Sequence, residues 1–235
     1  MYQYPNYVSP NQRYDFKVIF DQFGRSVPET YFDITELTLI KKFEEVVLSL
    51  QKTDKPQLTM VELGSNQAYY TLLFKAICKI EKRANLTLCV EPNPSHLRRT
   101  NIHLQINSFL SHVSDVIVGD YDNIKKDLDD SSLPGGSEFL LTNKRPIMSL
   151  EKLVELYRLR ELDILQCDVD HSEWSVIKSS EELFKNKQIK HIFLGTHSEK
   201  LHNRCKDFLL ECGYKLKFEE KNMIIGYDSL LIFEA

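Results

Sequence analysis

Short apolar runs alternate with longer segments of helical periodicity along most of this chain. Five apolar runs of strand length predict buried strands, at residues 58–63, 86–91, 114–120, 162–168 and 189–195. Apolar residues at helical spacing predict helices at residues 68–82, 94–107, 149–159, 172–184 and 198–212. Two final runs, 214–219 and 227–235, predict an antiparallel hairpin. Because apolar strands that alternate with helices form a sheet covered on both faces, we expect a doubly wound, mostly parallel α/β sheet of seven strands.

The first 56 residues depart from this pattern and are interpreted as an N-terminal extension to a Rossmann-like domain of residues 57–235. Residues 1–32 are rich in turn formers and aromatic rings, and we expect an irregular segment that acts as a lid, covers the sheet or forms the arm of a homodimer. Asp33 is expected to cap a helix. The apolar positions of that helix are Leu37, Ile40, Phe43, Val47 and Leu50. Residues 123–145 are expected to be loop-rich, with a turn at Pro134-Gly135-Gly136.

Composition excludes several classes of protein. The 235 residues carry a net charge of −4, which does not indicate a positively charged surface for nucleic acid, so no nucleic-acid partner is expected. The five cysteines are scattered and odd in number, which indicates neither a disulfide framework nor a structural zinc site. No signal peptide and no apolar run long enough for a membrane span is visible, so we expect a cytoplasmic protein.

The stretch VELGSNQAYY, residues 61–70, is a candidate cofactor loop. The strand ends at Glu62, Gly64 permits a positive φ, and Asn66 tolerates the left-handed region better than most residues. Ala68 is small enough to let the next helix approach the sheet. Glu91 ends the following strand, 27 residues past Gly64, where a carboxylate can accept hydrogen bonds from ribose hydroxyls. The alternatives are a plain turn, a solvated acid, or the loop of a nicotinamide enzyme.

Candidate catalytic side chains follow the fourth and fifth strands. Asp168 and Asp170 follow one strand and His197 follows the next, and because these strands should be neighbours, Asp168 and His197 are expected to converge. Two mechanisms are open: Asp168 or His197 is a general base, or Asp168, Asp170 and His197 bind a divalent metal such as magnesium. Glu173 could belong to this site or only start a helix. The histidines on other helices are expected to be solvated: His96, His103 and His202.

Four stretches, in this order, resemble the motifs of FkbM-type methyltransferases. They are VELGSNQAYYTLL, CVEPNP, RPIMSLEKLVEL and LDILQCDVDHSEWSVIKSS. In the first motif Gly64 and Asn66 match the family pattern, whereas Ser65 replaces alanine and Ala68 replaces the second glycine. In the last motif His171 stands where the family usually has glycine. The resemblance spans residues 57–235 and implies a class I methyltransferase-like fold that uses S-adenosylmethionine.

The resemblance also assigns residues to the cofactor. Glu62 and Gly64 would lie near the methionine part, Glu91 would hold the ribose, and Asp120 with Tyr121 would border the adenine. The full set of candidate cofactor residues is Glu62, Gly64, Ser65, Asn66, Tyr70, Glu91, Pro92, Asp120 and Tyr121. A cofactor without phosphates suits a loop in which Asn66 and Tyr69 take the places of a dinucleotide loop's second and third glycines.

Several functions stay open on the sequence. The first is O-methylation of a sugar or glycan hydroxyl, or of another small polar acceptor, which the family suggests. The second is N-methylation of a small metabolite or peptide. The third is a cofactor-binding scaffold without catalysis. It is supported by His171 and Ala68, which depart from the family pattern. The fourth function, a nicotinamide oxidoreductase, has the least support in the sequence.

Overall fold

Seven strands form one sheet in the part of the chain that the computed structural model describes, namely residues 10–19, 34–129, 145–159, 161–222 and 228–235. The strands of this sheet and of a second, two-stranded sheet are β1 (Gln57–Leu63), β2 (Ala84–Val90), β3 (His112–Ser114), β4 (Ile117–Val118), β5 (Ile147–Met148), β6 (Leu162–Cys167), β7 (Ile189–Thr196), β8 (Lys215–Asn222) and β9 (Asp228–Glu234). The large sheet has the order β3-β2-β1-β6-β7-β9-β8. The pairings β7–β9 and β9–β8 are antiparallel and the other pairings of this sheet are parallel, which confirms the predicted mostly parallel sheet with a C-terminal hairpin.

Helices cover both faces of the sheet. They are α1 (Pro10–Arg13), α2 (Ile34–Leu50), α3 (Tyr69–Ile80), α4 (Pro94–Ile106), α5 (Tyr121–Asp129), α6 (Leu150–Leu156), α7 (Glu173–Lys178), α8 (Glu181–Lys185) and α9 (Glu199–Glu211). Successive residues of β1 enter different cores: Met60 packs with α2 and α3, and Val61 packs with α6, α7 and α9. Six of the seven residues of β1 are buried, as expected of a strand with helices on both sides.

Three of the predicted elements are wrong in extent. The run at residues 114–120 is not one strand: β3 joins the large sheet, whereas β4 pairs with β5 in the small one. Residues 121–129, expected mostly as loop, form α5, because Asp120 accepts a hydrogen bond from the N–H of Asn123 at 2.9 Å and Ile124 is buried. The predicted turn at residues 134–136 lies outside the described residues.

The single helix predicted at residues 172–184 is two helices, α7 and α8. The break falls at Ser180, which is buried and accepts a hydrogen bond through Oγ from the N–H of Glu151 at 3.1 Å. This bond attaches the break to the start of α6.

The helix predicted in the N-terminal extension is present as α2. Its residues Ile40, Phe43, Val47 and Leu50 are buried as expected, while Asp33 lies outside the described residues. The division of the chain at residue 56 stays a prediction. No helix in the described ranges is long and apolar enough to cross a bilayer.

Candidate active site

A cavity of about 570 Å³ opens at the carboxyl ends of β1, β2 and β6. The chain order of the strands reverses between β1 and β6, which is the place where doubly wound sheets bind their ligands. The lining residues are Glu62, Gly64, Ser65, Asn66, Gln67, Tyr69, Tyr70, Val90, Glu91, Pro92, Asn93, His96, Val116, Ile117, Val118, Gln166, Asp168, Val169, Asp170 and Ser172. The volume is in the range of small-molecule and cofactor sites.

The loop after β1 has the backbone that its sequence predicts. Gly64 has a φ of 73° and Asn66 a φ of 45°, both in the left-handed region. Ala68, predicted only to be small, is also left-handed, with a φ of 60°, and fully buried. A Cβ on Gly64 would lie 1.8 Å from the carbonyl oxygen of Asp168, so a glycine is required where the exits of β1 and β6 meet.

Glu62 supports this loop from the end of β1. Its side chain is buried, and Oε2 accepts a hydrogen bond from the N–H of Thr71 at 2.9 Å, in the first turn of α3. Ala68 precedes that helix and has no side chain that could cap it, so the carboxylate of Glu62 takes the place of a capping residue. Burial raises the pKa of Glu62 to about 7.

Glu91 joins two loops at the cavity wall. One of its carboxylate oxygens accepts from the N–H of Asn66 and the other from the N–H of Asn93, each at 2.9 Å. His96 stands 3.7 Å from the same carboxylate and lines the cavity, with 32% of its side chain exposed. The side chain of Glu91 is almost completely buried, yet each oxygen keeps a second lone pair for a ligand.

Acidic side chains outnumber basic ones in the cavity lining. The lining contains four carboxylates, those of Glu62, Glu91, Asp168 and Asp170, and no lysine or arginine among the residues that the structure describes. The buried Oε1 atoms of Gln67 and Gln166 have no hydrogen-bond partner within the described ranges. Buried polar atoms are normally satisfied, so these two amides point to a polar ligand.

Asp168, His197 and Glu173 form a charged cluster where β6 and β7 end. The imidazole Nδ1 of His197 is 2.8 Å from Glu173 Oε1, and Nε2 is 3.2 Å from Asp168 Oδ1. Burial acts to lower the pKa of His197, but the charge of Glu173 and the hydrogen bond with Asp168 outweigh it and raise the pKa to about 12. His197 is therefore an imidazolium held between two carboxylates, and its hydrogen bond lowers the pKa of Asp168.

The convergence expected of Asp168 and His197 is present, and Asp170 also lies close to His197. Asp170 Oδ1 is 3.7 Å from His197 Nε2, although the Asp170 side chain is 75% exposed. The ligand atoms that come within 4.8 Å of one another in the described residues belong to Asp168, Glu173 and His197. Glu173 is fully buried in this cluster, so it does more than start a helix.

Asp120 and Tyr121 are not brought to this cavity. The carboxylate of Asp120 caps α5 through Asn123, and the side chain of Tyr121 is 55% exposed. The wall on that side is apolar and consists of residues 116–118, which sequence reasoning took only for part of a strand. The two tyrosines of the loop, whose orientation the sequence did not decide, both line the cavity: Tyr69 is buried and Tyr70 half-buried.

Two histidines that were expected to be solvated are buried, and a third takes the family's glycine position. His103 is fully buried beside the cofactor loop, and His202 is fully buried between Thr196 and Glu219, so neither is a solvated surface residue. His171, at the family's glycine position, has a left-handed φ of 72°, and its ring centroid is 5.3 Å from that of His197. A glycine is usual there because the backbone is left-handed.

The fold and the cavity together define a doubly wound α/β protein with a ligand site where the strand order reverses. The chain belongs to the FkbM methyltransferase family, because the profile described as "Methyltransferase FkbM domain" matches residues 62–216. The resemblance seen in the four sequence motifs is thereby confirmed.

Solved structures agree with this fold at low sequence identity. The METTL16 methyltransferase domain superposes with a TM-score of 0.57 at 12% identity, over 95% of this chain and 75% of that one. The FkbM methyltransferase of Methylobacillus flagellatus gives a TM-score of 0.55 at 11% identity, over 81% and 47%. The human methyltransferase 10 domain containing protein gives 0.54 at 12% identity, over 95% and 90%. No curated protein matches the chain in sequence.

Proposed function

We propose that the protein transfers a methyl group from S-adenosylmethionine to a hydroxyl of a small polar acceptor, such as a sugar or glycan. The observation that carries this proposal is the cluster of Asp168, His197 and Glu173 at the edge of the cavity that Glu91 and the Gly64 loop enclose. An acceptor hydroxyl beside Asp168 would then lie next to the bound donor.

The cavity suits S-adenosylmethionine better than a nicotinamide dinucleotide. The carboxylates of Glu91, Asp168 and Asp170, without a lysine or arginine in the described lining, favour a positively charged ligand and disfavour a pyrophosphate. In this assignment Glu91 accepts the ribose hydroxyls, Glu62 and Gly64 face the methionine part, and residues 116–118 cover the adenine. One structural neighbour, the N-terminal domain of human METTL16 (TM-score 0.52, 13% identity), was solved in complex with S-adenosylhomocysteine, the product of this donor.

Asp168 is the residue that would act on the acceptor. Bound S-adenosylmethionine supplies an electrophilic methyl group on a positively charged sulfur. Asp168 is an ionised carboxylate, because its hydrogen bond with His197 lowers its pKa. It would accept a hydrogen bond from the acceptor hydroxyl, hold that oxygen in line with the methyl group and receive the proton as the oxygen attacks; since a lowered pKa makes it a weak base, orientation is the larger part of its role. His197 fixes the orientation of Asp168, and Glu173 fixes the orientation of His197.

The site does not fit a magnesium ion at Asp168, Asp170 and His197. Magnesium requires near-octahedral oxygen ligands, whereas both nitrogens of His197 already contact carboxylates. The imidazolium also supplies the positive charge that an ion would bring. We expect neither magnesium nor a chelator to change the melting temperature or the methyl-transfer rate. A magnesium-dependent rise in melting temperature that Asp168→Asn abolishes would favour the metal mechanism.

The test of the proposed activity is transfer of labelled methyl groups to a panel of neutral sugars, polyols and amines, with an RNA oligonucleotide as a further acceptor. We expect methylated hydroxyls, no methylated RNA, and a rate that falls by about 100-fold or more in Asp168→Asn, since a positioned base contributes about that much. Asp207→Asn is the matched control, because Asp207 is exposed on α9 and outside the cavity lining.

The alternative functions predict different results in the same assay. Methyl groups on amine nitrogen would support the N-methyltransferase. Cofactor binding without transfer to any acceptor would support the scaffold. An undiminished rate in Asp168→Asn would remove Asp168 from the mechanism.

A further inference from the structure

Two residues of α4 hold the strained part of the cofactor loop. Thr100 donates through Oγ1 to the carbonyl of Asn66 at 2.9 Å, and His103, one turn later, contacts the carbonyl of Gln67 through Nδ1 at 2.8 Å. These two carbonyls belong to the segment in which Asn66 and Ala68 are both left-handed. Because non-glycine residues in that region are strained, the loop keeps its shape only if surrounding contacts fix it.

His103 connects this loop to the N-terminal extension. The other ring nitrogen, Nε2, is 3.0 Å from the backbone nitrogen of Ile19. The N–H of Ile19 can only donate, so Nε2 is the acceptor and the ring proton sits on Nδ1, from which it is donated to Gln67. The ring is fully buried, and burial lowers its pKa, in keeping with the neutral tautomer.

Residues 10–19, which we call the N-terminal brace, contact the same region at other points. Phe16 is buried and its ring packs edge-on against that of Tyr69 with centroids 5.6 Å apart, and Tyr69 lines the cavity. Lys17 exchanges two backbone hydrogen bonds with the side chain of Asn107, at 2.6 and 2.8 Å. Arg13 pairs with Glu44 on α2. No brace residue is in the cavity lining, so its effect on the site passes through other residues.

We propose that His103 is a positioning residue of the cofactor site and that it links the N-terminal brace to the backbone of the cofactor loop. This proposal rests on the proposed function, because it takes S-adenosylmethionine as the ligand of the loop. The brace therefore supports ligand binding from outside the cavity, by stabilising the left-handed segment around Gln67.

Three substitutions at His103 separate its two contacts. In His103→Asn the side-chain amide reaches the Nδ1 position and keeps a donor for Gln67. In His103→Gln the amide oxygen reaches the Nε2 position and keeps an acceptor for Ile19. His103→Leu removes both. We expect the Kd for S-adenosylhomocysteine, measured by calorimetry, to rise about 10-fold in His103→Leu, since a lost buried hydrogen bond has roughly that effect. His103→Asn and His103→Gln each keep one of the two contacts, so both should bind more weakly than wild type and more tightly than His103→Leu.

Two further variants test the brace itself. Phe16→Ala should weaken S-adenosylhomocysteine binding several-fold. Leu209→Ala, a fully buried change on α9, should lower the melting temperature and leave the Kd unchanged. An unchanged Kd in Phe16→Ala and His103→Leu would overturn the proposal. Equal losses in His103→Asn and His103→Leu would also overturn it, because a merely structural role is not restored by the retained donor.

Hydrogen exchange in the ligand-free protein keeps this test separate from the proposed function. We expect faster exchange of the backbone amides of residues 64–72 in His103→Leu than in wild type or Leu209→Ala. If wild type binds no S-adenosylhomocysteine but the exchange effect is present, the proposed cofactor fails and the link stands. If the exchange of this segment is the same in His103→Leu and wild type, the link fails.

Discussion

Carboxylates of similar sequence context have different environments around the cavity. Glu62, Glu91 and Asp168 each follow an apolar strand, and from the sequence each is simply an acid near a strand end. The structure separates them: Glu62 is buried and caps α3, Glu91 joins two loops, and Asp168 is half-exposed beside His197. The sequence predicts their place in the fold, because the apolar runs show where strands end. It does not predict which groups each carboxylate contacts. Glu173 shows the same limit, since its role depends on His197, 24 residues away.

Glu62 gives a pH-dependent prediction. Its pKa is about 7 in the folded protein and 4.5 in its unperturbed state, so between these values the folded state holds a proton that the unfolded state has released. The contribution of Glu62 to stability is therefore present below pH 4.5 and is lost as the pH rises to about 7. Glutamine does not titrate, and its amide oxygen can still accept from Thr71.

We therefore expect the melting temperature of Glu62→Gln, relative to that of wild type at the same pH, to increase as the pH rises from about 5 to about 8. Differential scanning calorimetry of both proteins across this range is the measurement. Glu91→Gln is the comparison, because that residue also lines the cavity and accepts backbone hydrogen bonds. A Glu62→Gln difference that stays constant with pH would contradict the buried, proton-binding state of Glu62.

Elements with a long apolar pattern were predictable, and short ones were not. The strands β1, β2, β6 and β7 lie in the sheet interior. Each has six or more residues, which is long enough to show a continuous apolar run. By contrast, β3 has three residues and β4 has two, too few for a periodicity. The helix α5 was missed because it has a short apolar face and depends on Asp120 to begin.

Two glycines on either side of β6, one after β1 and one in β7, differ in what a methyl group would meet. On Gly64, at the exit of β1, it would lie 1.8 Å from the backbone oxygen of Asp168, and the φ there is positive. On Gly195, near the end of β7, it would lie 3.0 Å from Asp168 Oδ1, in a half-exposed side chain that can turn away.

We expect Gly64→Ala to lose about 2 kcal/mol or more of stability, because a backbone clash and a strained φ combine. Gly195→Ala should keep the wild-type melting temperature to within a few degrees and lose most methyl transfer, since Asp168 moves away from His197. Melting curves and transfer rates of the two variants are the measurement. A fully active Gly195→Ala would show that the position of Asp168 does not matter to the reaction.

At the scale of the whole molecule, the site comes from contacts between distant parts of the chain. Periodicity predicts strands but not their order, so the reversal between β1 and β6 that creates the cavity came only through the family resemblance. The contacts of Ile19 and Lys17 with α4 span 84 and 90 residues, and no local pattern reports them. The lid, sheet-cover and dimer-arm interpretations of the N-terminal segment could not be separated for that reason.

Binding of S-adenosylmethionine in the cavity beside Glu91 is the central requirement of the proposed function. The direct measurement is calorimetric titration of wild type and Glu91→Ala with S-adenosylmethionine and S-adenosylhomocysteine, with NADH as the control ligand and melting curves to verify folding. We predict micromolar binding of both sulfur ligands to wild type, loss of that binding in folded Glu91→Ala, and no binding of NADH. Wild-type protein that binds neither sulfur ligand, or binds NADH instead, would contradict the account.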